Sequence, residues 1–147
     1  MDLEQRITRI EALDAIRTLK HRYLNACDLK EVESIRACFA EGEIDIDYGP
    51  IGRFSDRDSF IELYRQLACH ERVKDLHHGS NPEIELISDT EATGRWGLFY
   101  FNLDAESGAT LQLSGVYYDR YRRLDGHWKI VATRFERLQE LASPAVT

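Results

Sequence analysis

Apolar side chains recur at three- and four-residue steps through the first part of the chain: Ile7, Ile10, Leu13, Ile16, Leu19 and Tyr23. Arg6, Glu11, Arg17 and Arg22 fall between them. That period places one apolar stripe along an amphipathic helix, and no Gly or Pro interrupts it before Cys27 and Asp28, where it should end. A shorter helix fits Glu31 to Ala40, with Val32, Ile35 and Phe39 on one face and Gly42 beyond its end. The period then changes to two. Ile44, Ile46 and Tyr48 alternate with Asp45 and Asp47, which predicts a short strand over 43–48, broken by Gly49-Pro50-Ile51-Gly52. Ser55 and Asp58 have capping-box spacing at the head of a third helix carrying Phe60, Ile61, Tyr64, Leu67 and Ala68.

The remainder reads as strand. Asp75 to His78 is followed by a break at Gly79-Ser80-Asn81-Pro82, by Ile84 to Ile87 and by a turn at Ser88-Asp89-Thr90. Long strands are predicted over 91–103, 109–124 and 128–138, with Asp125-Gly126 as a two-residue hairpin signal between the last two. Helices first and a strand meander afterwards specify an α+β fold, with the helices on one face of an antiparallel sheet. Strands of this length curl. A cone-like curved sheet wrapped around the long N-terminal helix, with two further helices, leaves a concave apolar interior suited to a small molecule.

Composition narrows the picture. The 147 residues fit one domain, expected over 1–140 with a flexible tail over 141–147. A formal charge of −7 argues against a nucleic-acid partner. No apolar run approaches the roughly 20 residues that cross a bilayer, so no membrane partner is expected. Cys27, Cys38 and Cys69 are odd in number and form no CxxC pair, and the first residues contain no apolar leader segment. A cytoplasmic, reducing setting is the expectation. Neither a phosphate-binding Gly-rich loop nor a metal-ligand cluster is present in the sequence, so no metal and no cofactor are expected.

Chemistry centres on the histidines. His127 belongs to a hairpin end, His21 lies off the apolar stripe, and His70 follows a helix C-terminus. His77 and His78 are neighbours in a strand, so one faces the concave side and the other faces outward. An inward imidazole in an apolar cavity needs a polar partner. Asp28, where the chain leaves the long helix near Tyr23, is the best carboxylate for it. A Tyr23–Asp28–His77 constellation would make His77 a base whose tautomer Asp28 fixes. The same residues also allow a different reading, in which Asp28 caps the second helix, Tyr23 is core and His77 is a satisfied buried histidine. Arg95 and Arg134 could reach an anion in the pocket, and Arg120, Arg122 and Arg123 form a solvated or dimer-facing patch.

Four segments, AIRTLKHRYLNACD, LHHGSNPEI, EATGRWGLFYF and GVYYDRYRRLDGHWKI, resemble in order the SnoaL-like branch of the nuclear transport factor 2-like superfamily, whose fold is cystatin-like. Bile acid 7α-dehydratases, scytalone dehydratase and hexachlorocyclohexane dehydrochlorinase belong to that superfamily. The resemblance implies a catalytic Asp at Asp28 and a catalytic His at His77, with the Tyr of the bile acid enzymes at Tyr23. Tyr100 stands where those enzymes carry a further Asp. Tyr100, Trp96 and Tyr48 are the expected substrate contacts. The implied activity is a cofactor-independent lyase, dehydratase-like, acting by β-elimination on a hydrophobic ring-containing small molecule. A double-bond isomerase or a non-catalytic binding protein are the alternatives, and a homodimer or higher homo-oligomer is expected.

Overall fold

The computed structural model describes residues 1–146. Helix α1 spans Leu3–Leu29 and opens on a capping box between Asp2 and Gln5. Its N-terminal third projects beyond the body, with Ile7 46% and Ile10 65% exposed, so the expected apolar stripe is buried only from its middle onward. The helix is long: 27 residues at 1.5 Å each make a rod of about 40 Å, and its buried residues start only at Ile16. The surface area is 8949 Å², against roughly 7,800 Å² expected for a monomer of this mass.

Helix α2 (Val32–Cys38) buries Ile35 and Cys38, and helix α3 (Arg57–Ala68) buries Phe60, Ile61, Tyr64 and Ala68. The α3 cap is Asp56, which accepts from the Ser59 backbone at 2.8 Å and the Ser59 hydroxyl at 2.9 Å. It is not the expected Ser55, because one residue further on a longer side chain makes two bonds where Ser could make one.

Six strands, β1 (Asp45–Asp47), β2 (Arg53–Phe54), β3 (Val73–Leu86), β4 (Glu91–Asp104), β5 (Thr110–Leu124) and β6 (His127–Ser143), form one sheet in the order β2-β1-β6-β5-β4-β3. The sheet is mixed, since β1 runs parallel to β6 whereas every other pair is antiparallel. Three residues of alternating pattern carry no information about direction, so the sequence could not show this.

Two further expectations change. The break expected at 79–82 is a bulge within β3, where the register shifts between Ser80 and Glu83. Asn81 takes a left-handed φ of 53° there, and Pro82 is tolerated because β3 is an edge strand with no partner for the missing N–H. The tail expected from 141 starts later, since Leu141, Ala142 and Ser143 pair with Gln112, Leu111 and Thr110. Bulges at Ser114/Gly115 and Arg120/Tyr121 bend β5 and β6 around the helices. Trp96, Tyr121, Phe39, Ile16 and Ile130 fill the narrow end, and the wide end stays open. No helix among the described residues is long and apolar enough to cross a membrane.

Candidate active site

The end of α1 is fastened to the start of β3. Lys30 closes the helix in the left-handed region at φ 59°, and its ammonium donates to the carbonyls of His70 and Val73, the latter at 2.7 Å. Leu24 lies directly over Gly79, where a Cβ would stand 2.6 Å from the leucine Cδ1. Helix and strand therefore approach as closely as a glycine allows. This contact carries Asp28, in the last turn of α1, to the free edge of β3. There Asp28 Oδ2 accepts the His77 backbone N–H at 2.9 Å and Oδ1 accepts the His77 Nδ1–H at 2.6 Å. Both oxygens are engaged by one residue, and α2 has Glu31 at its N-cap position with no side-chain cap bond. Asp28 is thus not a cap for α2. Its bond to Nδ1 fixes the tautomer and leaves Nε2 as the unprotonated nitrogen of the neutral ring.

His77 lines a cavity of about 250 Å³ at the open end of the cone. His78, one residue on, is exposed on the outer face, as strand alternation requires. Tyr23 and Cys27, one helical turn apart on α1, face the cavity, and the Tyr23 and Tyr48 hydroxyls meet at 2.7 Å. Tyr100 pairs with His77 across β3 and β4, and their ring centroids are 4.7 Å apart. Its hydroxyl donates to Asp75 Oδ1 at 2.5 Å. Burial pushes the Tyr23, Tyr48 and Tyr100 pKa values well up, with the Asp75 charge adding to the effect at Tyr100. All three are neutral phenols. Cys27 is a buried free thiol also pushed up by desolvation, which keeps it unreactive.

Trp96, the remaining expected contact, is 1% exposed and packs in the closed end, where its indole N–H donates to Tyr121 at 3.1 Å; it does not line the cavity. Arg95 and Arg134 lie on the outer face, on either side of the Tyr118 ring. His21 sets its ring edge against Trp96, and His70 bonds to the Gln66 carbonyl. Among the cavity residues that escaped the sequence reading are Asp75, Tyr117 and Arg137. Asp75 was legible, since it shares the inward face with His77 by the period of two. Arg137 was not, because the β6 bulge between Arg137 and Gln139 alters the alternation there.

Behind the cavity wall lies a buried ion pair. Lys20 Nζ is 2.9 Å from Asp119 Oδ2 and 3.6 Å from the centroid of the Tyr117 ring. Tyr121 and Thr133 donate to the same carboxylate at 2.8 and 2.6 Å. Desolvation lowers the Lys20 pKa, with Asp119 opposing it.

Solved structures share this architecture. A candidate scytalone dehydratase from Novosphingobium aromaticivorans DSM 12444 superposes with a TM-score of 0.83 at 23% identity, over 94% of this chain and 93% of that one. A hexachlorocyclohexane dehydrochlorinase from Novosphingobium barchaimii LL02 gives 0.82 at 18% identity, over 93% of each chain. A protein of unknown function with a cystatin-like fold from Nostoc punctiforme PCC 73102 gives 0.68 at 20%, over 84% of this chain and 89% of that one. At these identities the likeness is one of fold. The family model described as SnoaL-like domain matches residues 8–134, and the chain belongs to that family, within the nuclear transport factor 2-like superfamily.

Proposed function

We propose that the protein is a cofactor-independent lyase that removes a proton and a leaving group from adjacent carbons of a hydrophobic, ring-containing small molecule. The observation that carries this reading is the His77–Asp28 pair, with its 2.6 Å bond and its Nε2 at an apolar cavity. In that arrangement the imidazole takes a proton from a carbon activated by a neighbouring carbonyl. Asp28 holds the ring in position and stabilises the imidazolium that forms. The phenols of Tyr23 and Tyr48 supply a neutral hydrogen-bond donor for the oxygen on which negative charge develops. Arg137 stands at the rim, held by Glu140. The superposed structures carry names that include a dehydratase and a dehydrochlorinase, both eliminations, which supports the same class. A double-bond isomerase would use the same base and the same phenols, returning the proton to another carbon.

The test is a screen of hydroxylated steroids, polyketide-like rings and halogenated rings for the absorbance of a new conjugated double bond. Turnover should be abolished in His77→Ala and retained within about threefold in His78→Ala, a surface change of small effect. Equal activity of wild type and His77→Ala on every compound turned over would contradict the proposal.

A further inference from the structure

Asp75 is two residues before His77 on the inward face of β3, about 7 Å away along the strand, and lines the same cavity. Its Oδ1 accepts two hydrogen bonds, from Tyr100 at 2.5 Å and from the Asn102 amide at 2.8 Å. Asn102 faces Asp75 directly across β3 and β4, so the carboxylate is held from two neighbouring positions of one strand. Asp75 Oδ2 has no hydrogen-bond partner among the described residues.

The consequence for a ligand is a matter of donors and acceptors. The Tyr100 hydrogen is committed to Asp75, so toward the cavity Tyr100 offers oxygen lone pairs and Asp75 offers a carboxylate oxygen. A carboxylate has no hydrogen to give. A chlorine or a carbonyl brought to this wall adds lone pairs to lone pairs, and a departing chloride would meet a charge of its own sign. A hydroxyl hydrogen satisfies the wall. The guanidinium of Arg137, which could reverse this preference, is already paired with Glu140.

We propose that Asp75, braced by Tyr100 and Asn102, is a subsite for a hydroxyl hydrogen of the ligand ring, so that ring alcohols, not halogenated rings, are the substrate class of this cavity, and phenols are ligands that the same subsite holds without turnover. The proposal rests on the elimination reading for its chemical meaning. There, His77 Nε2 takes the C–H proton and the double bond forms as the C–O bond breaks with its electron pair on oxygen. The imidazolium delivers that proton to the oxygen as the C–O bond breaks, so neutral water leaves and no oxyanion forms beside Asp75. No other reactant is needed.

Binding tests the subsite without turnover, so it stands or falls separately from the lyase reading. 2-Naphthol and 2-chloronaphthalene share one ring system and differ at one substituent. Titrated into the full chain, followed by ligand-observed NMR, 2-naphthol should bind about tenfold more tightly, the scale of one hydrogen bond to a charged acceptor. In Asp75→Leu the ratio should fall to about threefold or less. Asp75→Asn, which keeps the shape, should fall between the two, and a melting curve checks that each variant is folded. Equal affinities in the wild type, no binding of 2-naphthol, or a ratio unchanged in both variants would overturn the proposal. A tenfold ratio with no turnover of any ring alcohol would leave the subsite in place and count against the lyase.

Discussion

The carboxylate of Asp28 ends a helix and covers a sheet edge at the same time. One oxygen replaces the strand that β3 lacks and the other orients an imidazole, so a single residue joins fold to proposed chemistry. Lys20 is a different case. It belongs to no catalytic contact, yet its charge is buried against Asp119, Thr133 and Tyr121. Lys20→Met should lower the unfolding free energy by about 3–5 kcal/mol, because it leaves Asp119 as an unpaired buried charge. Replacing Lys20 and Asp119 together by apolar residues should recover part of that loss, which denaturant unfolding of the single and double variants would show. The buried Lys20 was invisible to the periodicity of α1: position 20 is next to Leu19 on the inward face, and a charge there reads as the edge of the polar side.

At the level of elements, the bulges shape the cavity as much as the helices do. Gly115 faces the β6 bulge, where a Cβ would be 2.2 Å from the Phe135 ring and 2.5 Å from the Glu136 carbonyl oxygen. A backbone oxygen cannot swing aside, so Gly115→Ala should destabilise the protein by about 3 kcal/mol. Gly126, in the β5–β6 hairpin, has φ +80° and open space around it. Gly126→Ala should cost only about 1–2 kcal/mol of backbone strain. Thermal melting of the two variants gives the comparison, and equal losses would mean that the bulge does not constrain the sheet. These elements also show what the sequence could reveal. The long periodic runs of α1, β4 and β5 were legible because one face of each is buried over many residues. The bulge between Ser80 and Glu83 read as a break at 79–82 because Asn-Pro carries a breaking signal whether or not pairing resumes. The β1–β6 pairing depends on where the chain returns, which no local pattern contains.

In the whole molecule, six of the seven tyrosines have pKa values raised above the ordinary 10, burial being the first cause in each. The sign follows from proton binding. Below pH 10 both states carry neutral phenols and no penalty exists. Above it, the unfolded chain ionises while the folded one holds its protons, so stability falls by about 1.4 kcal/mol per pH unit for each such tyrosine. Phenolate absorbance from these six should therefore appear together with loss of circular dichroism between about pH 10 and 12, and a gradual titration in the folded state would contradict their burial. His77, Asp28 and Tyr23 were legible as a constellation because the resemblance and strand alternation pointed to the same positions, whereas Trp96, aromatic and in a long strand, belongs to the packing of the closed end. The central claim is that Asp28 serves His77 and not the helix. Asp28→Asn keeps the shape and removes the charge, so the measurement is its turnover on any compound the wild type eliminates, beside its melting temperature. A loss of about 10²- to 10⁴-fold in kcat, the range of general acid–base contributions, with the melting temperature nearly unchanged is the result expected; a folded Asp28→Asn protein with undiminished turnover would contradict the account.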